Sequence, residues 1–336
     1  MAKDLISLKK ELKEGKIDSC YLFYGKEQYY VDYYANKVAL AVPDGGMPEF
    51  NRMTVEDDRT PIAEIDDFIE TYPLMSERKL LTLKQTGLLK SPKEEQKSYW
   101  SEKLKNLPDY LTILILENEI DKRSVLYKAV AKLGSVVEFG LLNRADAVTW
   151  VMRRAMEEKK KISKDNAAYL VDLCDEGLSS LKNEMDKLSE YCGAEILKSD
   201  IERVVSKSLQ VRIFEMTDAL TKKQPEKVLA MLNDLKTSKE SAFRVLYILS
   251  NTFDQLLYCK LLLSEGANAA EISAKLKAPP FAAKRLMQNV GSFSESFLKN
   301  RVQQTALLDL AIKEGRISEW NAVEDYVTES LRMISG

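Results

Sequence analysis

The chain has 336 residues, 45% of them hydrophobic and 30% charged, the balance of a folded globular protein with room for two or three domains. Fifty Lys and Arg against 52 Asp and Glu give a formal charge of −2, so any nucleic-acid contact is confined to a local patch. Histidine is absent, which removes Ser–His–Asp and Cys–His catalysis and every His-ligated metal site.

The opening stretch MAKDLISLKKELKEGK is charged and amphipathic and lacks an apolar signal core. CYLFY (20–24) reads as a first strand, ending at Gly25. A helix follows, with Tyr30, Tyr34 and Val38 on one face and Val31 and Ala35 beside them, stopping near Pro43, Gly45 and Gly46. FNRMTV (50–55) predicts a second strand. Pro61 opens a helix with Ile62, Ile65 and Ile69 at helical spacing. KLLTLK (79–84) predicts a third strand, and Pro92–Leu107 a charged helix with Trp100, Leu104 and Leu107 on one face. LTILIL (111–116) shows no alternation, the pattern of a strand buried on both faces. A helix over 121–133 and a fifth strand SVVEF (135–139) complete the set. Strands separated by helices imply right-handed crossovers and a doubly wound parallel sheet of about five strands.

Beyond Phe139 strand signals nearly vanish. Leu141, Ala145, Val148, Met152 and Ala155 define an amphipathic helix, and Ala167, Leu170, Val171 and Cys174 another, capped by Ser163. Gly177 breaks the chain before Leu178, Leu181, Met185, Leu188 and Cys192 repeat every three or four residues. Ser199 and Glu202 predict a capping box for the next helix. From Val211 the chain reads as helical to its end, with Pro225 starting one helix, a long one over Phe243–Leu263, Pro279 and Pro280 as punctuation, and a last helix through Trp320 and Tyr326. The expected domains are 1–140 (α/β), 141–210 (small, helical) and 211–336 (helical). Cys20, Cys174, Cys192 and Cys259 are widely spaced and read as small hydrophobes in a reducing compartment; no apolar run approaches the ~20 residues that span a bilayer. A cytoplasmic location is expected.

The strand–glycine–helix at Gly25 is where an α/β protein would cradle phosphate. A P-loop, GxxxxGK[ST], needs a second glycine, a lysine and a hydroxyl; counted from Gly25, those places hold Tyr30, Val31 and Asp32. KLLTLK runs into Lys84 and Gln85, with no acidic pair for a metal. A structural turn, not a working nucleotide site, is expected. Glu117 and Glu119 read as a solvated strand-end loop, and EEKKK (157–161) as an exposed helix end with phosphate contact as the minority reading. No catalytic site, cofactor or metal is expected.

The segment IDDFIETYPLMSERKLL is more informative. Pro73 stops the preceding helix, leaving Leu74 and Met75 in a short turn before Ser76, Glu77 and Arg78. Such an apolar pair either tucks under the helix, as apolar loop residues usually do, or protrudes as a wedge for a partner's pocket.

The whole arrangement resembles the delta-subunit family of the bacterial DNA polymerase III clamp loader. YLFYGKEQYYVD (21–32) is similar to that family's opening strand, glycine and glutamate. PLMSERKLL (73–81) resembles its clamp-contacting turn. ILILENEIDKRSVLYKAV (113–130) with VVEF (136–139), and LSSLKNEMDKLSEY (178–191), resemble the end of its first domain and its helical lid. The resemblance implies an AAA+-like α/β domain that has lost ATP hydrolysis, a helical lid and a helical collar. It implies a component of the DNA polymerase III holoenzyme that grips the sliding clamp (beta subunit) and opens the ring for loading on primed DNA. Pro73, Leu74, Met75 and Ser76 form the implied clamp-binding turn, with Leu74 and Met75 entering the clamp. The second wedge position is commonly aromatic in the family, so Met75 is a departure; it is more flexible and buries less area. The implied partners are the motor subunits, the delta-prime subunit and primer–template DNA. Candidate phosphate contacts are Arg153, Arg154, Lys159, Lys160 and Lys161. The rival readings are an active P-loop ATPase and a helical scaffold unrelated to replication.

Overall fold

The structure, a computed structural model, describes residues 5–56, 59–276 and 280–335. Pro279 lies outside the described residues. Two compact units are formed. One comprises the described residues up to Lys164 together with Glu176–Glu195, the other Asp165–Asp175 together with the described residues from Ile196 onward.

In the first unit the five expected strands are present: β1 (Cys20–Tyr24), β2 (Arg52–Glu56), β3 (Lys79–Lys84), β4 (Leu111–Glu117) and β5 (Ser135–Glu138). They pair in the order β2-β3-β4-β1-β5, every pair parallel. The register sets Leu22 beside Ile115 on one side and Val136 on the other, so β1 lies between β4 and β5 and its end opens beside theirs. Alternation sends β1 into two cores. Cys20, Leu22 and Tyr24 join Leu81, Ile113, Ile115 and Trp100 on one face; Tyr21 and Phe23 join Leu8, Val31, Tyr34, Val38 and Phe139 on the other. Helices Ile62–Glu70, Glu94–Lys103 and Val125–Leu133 supply side chains to the first face. Leu5–Lys13 and Gln28–Ala41 cover the second. This is the doubly wound parallel sheet that the sequence predicts. Burial on both faces also silences Cys20, whose thiol is pushed up to about 12.

The second unit is helical, with Leu209–Thr221, Pro225–Thr237, Ala242–Ser264, Ala269–Leu276, Pro280–Val290, Glu295–Lys313 and Glu319–Ser335. Ser208, Ser241 and Ser294 cap three of these, each hydroxyl accepting from the backbone N–H three residues on. Phe253, Phe293, Phe297 and Tyr326 pack edge-to-face or stacked in its core. There Arg301, 1% exposed, donates to the Tyr326 carbonyl (3.2 Å) and lies 5.3 Å from the Tyr326 ring centroid.

Three local expectations are corrected. Residues Pro48–Asn51 form a helical turn, so β2 starts at Arg52 rather than Phe50. The helix Lys198–Val204 has Leu197 as its first cap residue, and Asp200, not Glu202, reaches back to the Leu197 N–H (2.9 Å). Two strands of only two residues, Lys161–Ile162 and Glu195–Ile196, lie in the segment expected to be helical. Within 141–210, helices Arg144–Glu157 and Leu178–Tyr191 belong to the first unit and Lys198–Val204 to the second.

Candidate functional site

Leu74 and Met75 stand in the turn between Ile62–Glu70 and β3, 43% and 76% exposed. The turn does not tuck under its helix. What holds it outward is a side chain 23 residues upstream. Asn51 is 1% exposed at the end of the helical turn before β2. Its Oδ1 accepts from the Leu74 N–H (2.8 Å) while its Nδ2 donates to the Leu74 carbonyl (2.7 Å) and to the Asp44 carbonyl (2.9 Å). One amide thus copies a strand partner and fixes the wedge backbone from both sides. Ser76 closes the other flank, donating to the Pro43 carbonyl (3.0 Å) and accepting from the Arg78 N–H (3.3 Å). Pro73 is half-buried.

Met75 has φ +52, a left-handed conformation that side chains with a Cβ adopt at a cost of about 1–2 kcal/mol. The segment across from it is shaped to receive this bend. Gly45, at φ +61, lies so near that a Cβ there would meet the Met75 carbonyl oxygen at 2.0 Å. Asp44 fixes that loop: it accepts from the Gly46 N–H (3.0 Å) and from Arg52 Nε (2.8 Å), and these bonds hold its carboxyl below the usual value. Beneath the turn, Lys79 is 1% exposed and donates to the Phe68 and Thr71 carbonyls (2.7 and 2.9 Å), ending the helix that leads to the wedge. Burial lowers its pKa. The result is two exposed apolar side chains on an immobilised backbone, the arrangement of an interface anchor with little ordering entropy left to lose.

The turn after β1 is closed instead of open. Gly25, at φ +125, packs so tightly on the end of β5 that a Cβ would lie 2.3 Å from the Phe139 carbonyl oxygen. Gln28 Nε2 donates back to the Gly25 carbonyl (2.7 Å). Glu27 is 1% exposed, and its carboxylate accepts from the N–H of Leu178, first residue of Leu178–Tyr191 (3.0 and 3.2 Å). A side-chain anion therefore occupies the first N–H of the helix Leu178–Tyr191, a donor of the kind that phosphate uses. Burial pushes the Glu27 carboxyl above its ordinary value, opposed by the Leu178 N–H. Of the residues in P-loop places, Val31 is in the core at 1% exposure, Tyr30 is half-buried with its ring 6.2 Å from that of Phe139, and Asp32 faces solvent.

Glu117 departs from its expectation as a solvated residue. It is 5% exposed and accepts from Thr86 Oγ1 (3.1 Å), and burial raises its pKa. Glu119 is exposed and paired with Lys90 (2.6 Å). The five candidate phosphate contacts are not equivalent. Arg154 pairs with Glu158 (2.6 Å) and Asp186 (3.2 Å), and Lys160 donates to the Cys192 and Gly193 carbonyls (2.7 and 2.9 Å). Arg153, Lys159 and Lys161 are exposed.

Sequence patterns give no hint of the parts that Asn51, Gly45 and Lys79 play here. Asn51 sits inside a stretch that looks like a strand, Gly45 looks like a plain helix stop, and Lys79 looks like a polar strand edge. Each acts on a segment 8 to 30 residues away, a distance no local pattern reports.

Comparison with known proteins gives a consistent result. Residues 21–140 match the family described as DNA polymerase III, delta subunit, and residues 210–330 match the family described as the C-terminal domain of the same delta subunit. The chain is 27% identical over 332 residues to DNA polymerase III subunit delta of Bacillus subtilis, covering 96% of both chains. It is 24% identical over 247 residues to the probable DNA polymerase III subunit delta of Aquifex aeolicus, covering 71% of this chain and 70% of the relative. The solved Bacillus subtilis DNA clamp loader delta protein superposes with a TM-score of 0.58 at 27% identity, over 97% of this chain and 99% of the other.

Proposed function

The chain belongs to the DNA polymerase III delta-subunit family, and we propose that it grips the sliding clamp by inserting Leu74 and Met75 into an apolar pocket on it. The observation that carries this reading is the pair's exposure on a backbone pinned by Asn51. Scaling the roughly 1.5–3 kcal/mol gained on burying a Leu or Met side chain by exposures of 43% and 76% gives about 2–3.5 kcal/mol for the pair. Opening the ring requires no pulling. A wedge that fits the clamp protomer better in its open-ring shape shifts the closed–open equilibrium by that difference in affinity.

In this reading the protein binds the clamp and neither binds nor hydrolyses ATP. The closed turn at Gly25 and the Glu27 carboxylate on the Leu178 N–H support it. ATP-driven control then resides in motor subunits that cover or expose the wedge. Residues 141–210 act as the lid, and 211–336 as the collar through which motor and delta-prime subunits assemble. Primer–template phosphates meet Arg153, Lys159 and Lys161, the cations of that patch left exposed. A scaffold unrelated to replication does not agree with the family. The test is sizing with light scattering of the full chain, alone and with the sliding clamp of the same organism. A co-eluting complex is expected; separate elution at micromolar concentrations would discard the wedge.

A further inference from the structure

A second surface of the first unit shares no residue with the turn that carries Leu74 and Met75. Helices Leu5–Lys13, Gln28–Ala41 and Arg144–Glu157 border a groove of about 880 Å³. Its walls carry six Lys or Arg side chains and one carboxylate, Glu157, on a chain whose net charge is −2. Arg154 is already neutralised by Glu158 and Asp186. Lys9, Lys13, Lys37 and Arg153 have no ion-pair partner among the described residues. Leu8 turns to the core, while Lys9, Lys10 and Lys13 lie along the groove at helical spacing with Ile6 and Leu12 beside them.

The floor between these cations is aromatic. Tyr29 and Tyr33, one helical turn apart, hold their rings 6.3 Å apart and within 18° of parallel. Trp150 meets Tyr29 edge-on at 5.7 Å. Tyr33 is 43% exposed, and Lys37 Nζ lies 5.0 Å from its ring centroid. Cations tracking a groove whose floor offers flat ring faces are what single-stranded nucleic acid requires: phosphates meet the ammonium groups while bases stack, without sequence readout. An acidic peptide would satisfy the lysines but would leave the rings without a stacking partner.

We propose that this groove binds single-stranded DNA, with bases stacked on Tyr33 and Tyr29 and the backbone held by Lys9, Lys13, Lys37 and Arg153. The site is independent of the wedge and shares only Arg153 with the phosphate patch proposed above. The test is fluorescence anisotropy of a labelled oligothymidine with the full chain over a series of KCl concentrations. Lys13→Glu with Lys37→Glu, both on exposed positions, is expected to weaken binding at least tenfold and to flatten the salt dependence. Tyr33→Ala is expected to weaken it about tenfold while leaving the salt slope unchanged. Lys128→Glu with Lys132→Glu, exposed on the helix Val125–Leu133, is expected to leave binding within about twofold, which separates this groove from general surface charge. No binding at low salt, an unchanged Tyr33→Ala, or equal competition by polyglutamate would overturn the proposal.

Discussion

Replacing Asn51 with Ala leaves both wedge side chains intact and removes what holds them. Three hydrogen bonds disappear, two to Leu74 and one to the Asp44 carbonyl. A typical intramolecular hydrogen bond contributes about 0.5–1.5 kcal/mol net, which is roughly 1.5–4.5 kcal/mol for the three. Leu74 is 43% exposed, so water can reach part of the freed backbone, and the loss falls at the low end of the three-bond total, about 2 kcal/mol. The strained φ of Met75 relaxes once the turn is released. Because only the ordered turn can enter a pocket, clamp affinity falls by the fraction of molecules that keep it, and about 2 kcal/mol corresponds to roughly 30-fold. Isothermal titration with the clamp reads that loss, and a thermal scan confirms that the variant remains folded. Asn51→Asp keeps the acceptor for the Leu74 N–H but loses both donations, so its affinity should fall between the two. Wild-type affinity in a folded Asn51→Ala protein would refute the claim that a pre-ordered turn underlies binding.

Two further outcomes follow from the sheet domain. The purified chain should show no saturable ATP binding in equilibrium dialysis, since Gly25 packs against Phe139, Glu27 occupies the Leu178 N–H and Val31 is buried where a P-loop lysine would stand; a saturating isotherm would contradict the closed turn. Burial raises the Glu117 carboxyl above its ordinary value of 4.5, so its ionised form is disfavoured by folding. The contribution of Glu117 is then fully present below that ordinary value and declines as pH rises through its folded-state pKa. Chemical unfolding of wild type and Glu117→Gln should accordingly show the difference moving in favour of the Gln variant from acid toward neutral pH, and a constant difference would refute the assignment.

The sheet was legible because its physics is local. LTILIL carries no alternation and is buried throughout, KLLTLK begins and ends where β3 does, and Pro61 marks the start of its helix. The helices beyond Phe139 followed from apolar spacing in the same way. The wedge was half legible. Pro73 and the apolar pair announced a turn, but whether it faced inward or outward depended on Asn51 and Gly45, which reach it through space. Glu117 escaped because a strand-end carboxylate looks solvated until the Thr86 loop closes over it. Lys10 and Lys13 showed only a charged segment without a signal core; their groove required Tyr33 and Trp150 from elements far along the chain. In Lys198–Val204, Ser199 and Glu202 had the right spacing for a cap in the wrong register, since backbone geometry put Leu197 first.

The claim on which the rest stands is that Leu74 and Met75 are the clamp contact. Titration of the sliding clamp with the wild-type protein and with the Leu74→Ala, Met75→Ala double variant measures it directly. Both side chains are exposed, so the substitutions should leave the unfolding midpoint nearly unchanged. Affinity should drop roughly 30- to 400-fold, the equivalent of the roughly 2–3.5 kcal/mol worked out from exposed apolar surface. Equal affinity of the two proteins for the clamp would contradict the account.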